Sequence, residues 1–179
     1  MKLANAVATI ALALALNERA SGQSCQLYAA ALDAIGSKPD NTMLVEKTAM
    51  GVPTFAFYSG VKRGDTALVR VHRALRLLNK KRVAVPNCLV DSLGWKTIAD
   101  STLFRIFSDD DAAWTTLRKE YPRTPRFALL SRAIIVADTA IIYVANATGD
   151  LTGKGMIVRL VRNADGRWIR KATLLLWVS

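Results

Sequence analysis

A chain of 179 residues with 25 basic and 14 acidic side chains carries a formal charge of +11, and its 51% apolar content suffices for a packed core. That composition excludes a disordered polyelectrolyte, and two cysteines exclude a disulfide-dense miniprotein. With His72 the only histidine and no cluster of cysteines, a zinc site has no ligand set to draw on.

The first element in chain order is a targeting signal. Lys2 is followed by an uncharged Ala- and Leu-rich run over residues 3–16, then by Asn17, Glu18 and Arg19 and the small residues Ala20, Ser21 and Gly22. This is the order of a secretory signal peptide, and the apolar run is too short to cross a bilayer of ~30 Å. The expectation is cleavage after Gly22. That leaves one exported domain, residues 23–179, with 23 bases against 13 acids and a charge of +10. A lipid anchor on Cys25 is disfavoured because Gly22-Gln23-Ser24 lacks the leucine a lipobox carries. No later stretch has 18 consecutive apolar residues, so the mature chain is expected to have no transmembrane helix. In an oxidising compartment Cys25 and Cys88 are candidates for a disulfide, worth up to about 4 kcal/mol by closing a long loop.

Residues 24–35 read as a helix with Tyr28, Leu32 and Ile35 on one face and Gly36 as its stop. Residues 42–48 and 54–58 read as strands separated by Gly51-Val52-Pro53. Asp65 caps a helix over 66–79 whose core stripe is Leu68, Val71, Leu75 and Leu78. Its other side, with the residues just beyond, carries Arg70, Arg73, Arg76, Lys80, Lys81 and Arg82. Two further helices are expected over 101–107 and from Asp110 or Asp111 to Tyr121, the second ended by Pro122. Four strand-like runs follow, over 127–136, 140–145, 155–162 and 167–178, joined by short turns that imply an antiparallel meander. The fold class expected is α+β, with three or four helices on one face of a mainly antiparallel C-terminal β-meander.

The segment YVANATGDLTGKGMIVRLVRNADGRWIRKATLLLWVS supplies Tyr143, Gly149, Leu151, Gly153, Gly155, Leu160, Gly166, Trp168, Trp177 and Ser179. In these positions it resembles the C-terminus of an uncharacterised family of bacterial exported proteins. Trp114, Tyr121-Pro122 and Ser131 fit the stretch preceding it in that family. The resemblance implies a bacterial, exported protein and brings no reaction with it. It also has a departure: Thr148 and Thr152 stand where the family's glycine loop often carries cysteines, so loop thiol chemistry is absent here.

No catalytic set assembles from the sequence. His72, two residues from Arg70 and adjacent to Arg73, reads as a solvated histidine, and no Gly-x-Ser-x-Gly elbow is present. Asp109-Asp110-Asp111 fits helix capping better than a cation loop, whose carboxylates alternate. The glycine-rich loop 148–155 joins two strands, whereas a phosphate loop opens a helix; an anion at its N–H groups and Lys154 is the residual reading. Asn146-Ala147-Thr148 matches a glycosylation acceptor that matters only in a eukaryotic secretory route.

The expected function is therefore a non-catalytic binding or interaction module, without metal or cofactor, in the periplasm, cell envelope or extracellular space. Its partner would be an anionic polymer, a membrane surface or an acidic protein, met by Arg70, Arg73, Arg76, Lys80, Lys81 and Arg82. The alternatives are an envelope hydrolase or inhibitor whose site the sequence does not reveal, and a structural envelope component.

Overall fold

The computed structural model describes residues 21–49, 66–108, 112–149 and 152–179. Residues 1–20 of the signal peptide expected over 1–22, the strand expected over 54–58, the turn at 51–53, the Asp65 cap, the acidic triplet 109–111 and Leu151 lie outside the described residues. In chain order the elements are α1 (Ser21–Ala34), β1 (Met43–Val45), α2 (Thr66–Leu78), α3 (Asn87–Asp91), β2 (Lys96–Ile98), α4 (Asp100–Phe107) and α5 (Ala113–Glu120). Five strands follow: β3 (Phe127–Leu130), β4 (Ile134–Val136), β5 (Thr139–Gly149), β6 (Thr152–Arg162) and β7 (Trp168–Val178).

The strands form one sheet in the order β2-β1-β3-β5-β6-β7, with β4 also on β5. The C-terminal half is the expected meander, since β3, β4 and β6 are antiparallel to β5, and β7 is antiparallel to β6. The α+β class holds. The N-terminal half adds a parallel portion, because β1 runs parallel to both β2 and β3. That part escapes sequence reading because β1 and β2 are three residues each, too short to show a period.

The expectation that the helices share one face is corrected. Ala140, Ile142 and Val144 of β5 pack with Leu27, Tyr28, Ala31 and Leu32 of α1 and Leu89 of α3. Tyr143 and Ala145, on the opposite face, pack with Val71 and Leu75 of α2. At the β1–β3 end, Met43, Val45 and Ile98 meet Ile106 of α4 and Trp114 and Leu117 of α5. The physical sign was the unbroken apolar run from Ala140 to Ala145. A strand that does not alternate is covered on both faces.

The expected strand over 127–136 divides into β3 and β4 around residues 131–133. Here Asn79, fully buried just past the end of α2, reaches the sheet. Its Oδ1 accepts a bond from the Arg132 backbone N–H at 2.6 Å, its Nδ2 donates to the Leu75 carbonyl at 2.8 Å, and Arg132 Nη1 donates to the Leu78 carbonyl at 3.1 Å. Ser131 Oγ accepts from the Tyr143 N–H at 2.9 Å while the Ser131 N–H donates to the Tyr143 carbonyl at 2.9 Å, so a side chain takes over one ladder contact at the break.

Candidate basic interface

Helix α2 follows from its sequence. Val71 and Leu75 are buried, and Leu68 and Leu78 pack beside them, which leaves Arg70, Arg73 and Arg76 exposed on the other side. Lys80 and Lys81 continue the exposed basic series beyond the C-terminus, where positive charge also suits the helix dipole. Leu77, 53% exposed, lies on the line from Arg70 and Arg73 to Lys80 and Lys81. No acidic residue occurs between Thr66 and Arg82. The result is a basic strip about 15 Å long with one apolar side chain within it.

Arg82 does not join this strip. Its Nε donates to the Thr48 carbonyl at 2.7 Å, and its Nη2 to the Lys47 carbonyl at 3.1 Å and to Asp100 Oδ1 at 2.7 Å. The chain turns there so that Val83 and Val85 lie along residues 46–48, with Thr48 N bonded to Val83 O and Val85 N to Glu46 O. Arg82 thus fastens the end of β1 to the first turn of α4. Sequence adjacency placed it with the lysines, and tertiary folding removed it.

His72 is the second correction. It is buried, at 4% exposure, and shares the apolar stripe with Leu68, Leu75 and Asn79. Residues one or two apart on a helix do not face each other, so proximity to Arg70 and Arg73 in sequence did not place it in solvent. Among the described residues no group of three His, Cys, Asp or Glu side chains is arranged to hold a metal ion.

Cys25 of α1 and Cys88 of α3 stand at disulfide distance, with Cα atoms 6.1 Å apart. Both lie in the layer that covers Ala140, Ile142 and Val144. The bond clips the N-terminal helix to the short α3, an element the sequence reading had missed.

The glycine-rich connection joins β5 to β6 as a hairpin, with Thr148 Oγ1 donating to the Thr152 carbonyl at 2.9 Å. Several residues of the family resemblance have packing roles here. Gly155 lies directly beneath the indole of Trp177, and a Cβ there would collide with the Trp177 ring nitrogen. That nitrogen donates to the Tyr143 hydroxyl at 3.2 Å. Burial pushes the Tyr143 phenol above its ordinary pKa, an effect the Trp177 bond opposes. Tyr28 is likewise raised by burial, against a bond with the Ala133 backbone and the charge of Arg132. Gly166 turns the β6–β7 hairpin at φ 75°, and Trp168 is buried with the Arg162 guanidinium 4.8 Å above its ring. Trp114 stacks on Phe127 at 5.7 Å and meets Phe107 edge-on at 5.1 Å.

These placements account for aromatic and glycine positions by packing, and leave the α2 strip as an exposed surface with a single sign of charge. No protein-family model matches the chain, and neither a curated protein nor a solved structure is similar enough to it to match.

Proposed function

We propose that the chain is an exported, non-catalytic binding module that presents the α2 strip to a partner dense in phosphate or carboxylate groups. The observation carrying this reading is the exposure of Arg70, Arg73, Arg76, Lys80 and Lys81 along one helix side that contains no acid. Five bases so arranged repel one another, and an anionic surface relieves that repulsion while releasing counterions. Leu77 adds an apolar contact within the strip. Export is supported by the apolar run 3–16 with its small-residue boundary, and by a cysteine pair at disulfide distance, a bond that persists in oxidising compartments. The family resemblance favours a bacterial envelope.

The test is binding of the purified protein to vesicles with and without anionic lipid, to an anionic cell-wall polysaccharide and to nucleic acid. Binding should weaken at least about tenfold as salt rises from about 50 to about 200 mM, and reversing the charges of Arg73 and Lys80 should weaken it further. Negligible, salt-insensitive binding to all of these probes sinks the reading. A reporter active only outside the cytoplasm, fused behind Gly22, tests export separately.

A further inference from the structure

At one end of the sheet stands β7, which pairs with β6 along one edge and with no other described strand. It is 11 residues long, so its outer edge presents a row of backbone N–H and C=O groups able to template another strand. β2, at the opposite end, is three residues long and offers far less. Reciprocal bonds between Gly153 and Ser179, at 3.2 and 3.0 Å, set the phase of the β6–β7 ladder. Bonded and non-bonded pairs alternate in an antiparallel ladder. Val178 opposite Lys154, and Thr173 opposite Val158 after the bulge at Gly155/Met156, therefore occupy non-bonded positions and turn their backbone groups outward.

The side chains around that edge have one sign of charge. Between Arg167 and Ser179 there are three bases and no acid, and Arg167, Arg170 and Lys171 are all exposed. Ile169, Leu175 and Val178 are exposed beside them, at 46%, 49% and 70%. A second copy of this strand would bring like charges together, and the two bulges in β7 would disturb the register of such a pair. A strand carrying carboxylates meets the same side chains as opposite charges and retains the apolar contacts. We propose that the outer edge of β7 accepts an extended, acidic peptide segment of a partner protein by strand addition. It uses none of the α2 bases and stands independently of them.

The probe is a fluorescent, capped peptide of about ten residues alternating Glu with Val and Thr, matched with a Lys-for-Glu counterpart. Anisotropy titrations with the full chain should show the acidic peptide binding at least about tenfold more tightly than the basic one. Thr173→Pro removes an outward N–H without touching the β6 ladder, so it should abolish binding while leaving the melting temperature nearly unchanged. Arg170→Glu with Lys171→Glu should reverse the peptide preference. That variant leaves the backbone edge intact and decides the matter if the proline variant does not fold. Equal affinity for the two peptides overturns the proposal, as does binding that survives both variants or that is lost only when Arg73 and Lys80 are reversed. A dimer of the protein abolished by Thr173→Pro overturns it too, assigning the edge to a second copy.

Discussion

The two halves of the sheet are held by different means. From β5 to β7, three strands of 11 residues are joined by long antiparallel ladders interrupted only by local bulges. From β1 to β3 the strands are three or four residues long, and side chains carry much of the linkage. Arg82 binds two carbonyls and Asp100, and Asn79 bridges α2 to the β3–β4 break; a further clip, the cysteine pair, joins α1 to α3 in the layer over β5. A ladder distributes its stabilisation over many equivalent bonds. A clip concentrates it in one residue, so single substitutions should discriminate sharply between the halves.

The largest effect should come from the covalent clip. Replacing Cys25 and Cys88 together by serine should lower stability by about 3–4 kcal/mol, read as a shift in the urea midpoint. Titration of the unfolded, unreduced wild type should find no reactive thiol; two would remove the disulfide from the account. Next, Gly155→Ala forces the Trp177 indole off β6 and should cost about 2 kcal/mol, with loss of the native Trp177 fluorescence environment. An unchanged midpoint there would show that the meander tolerates what its ladder suggests it cannot.

In the clipped half, Asn79→Ala strands the Arg132 N–H and frees the end of α2, for about 1–2 kcal/mol. Hydrogen exchange should rise first at residues 131–133. A loss spread evenly over the sheet would blur the contrast between the halves. Ala137 adopts φ 48° in the β4–β5 turn, where glycine has no steric penalty, so Ala137→Gly should stabilise by up to about 1 kcal/mol.

The smallest effect is alkaline. Tyr143 and Tyr28 have phenols raised by burial above the ordinary value near 10. The unfolded chain therefore ionises first: this contribution is intact below about pH 10 and falls as pH rises above it, until the folded phenols titrate. Tyr143→Phe should make that decline shallower, as measured by denaturation across the alkaline range.

Much of the meander was legible in the sequence because each strand is long, rich in β-branched residues and bounded by turn chemistry. Asn163-Ala164-Asp165-Gly166 is an example: Gly166 has positive φ, and Asn163 Oδ1 accepts from the Arg167 N–H at 2.8 Å. Helix α2 was legible for a similar reason, its 3.6-residue stripe. What failed to show were features defined by distant partners. The role of Arg82 depends on carbonyls more than thirty residues away, the break at Ser131 depends on Asn79, and the parallel pairing of β1 depends on strands too short to carry a pattern. His72 was misread because linear neighbours were weighed above helical ones. Within the candidate interface, the exposure of Arg70, Arg73, Arg76, Lys80 and Lys81 agrees with the helical pattern, and only Arg82 departs from it.

Chain order gives the cysteine clip a temporal meaning. Both sulfurs belong to the first 88 residues, separated by 63 positions, yet much of the apolar surface they pack on is built by Ala140, Ile142, Val144 and Val158. As the chain emerges from its N-terminus, α1 and α3 can be tied together before the strands they cover have been made. The tie then acts as a scaffold awaiting its floor: it keeps α1 at high local concentration beside α3 while the meander assembles beneath them.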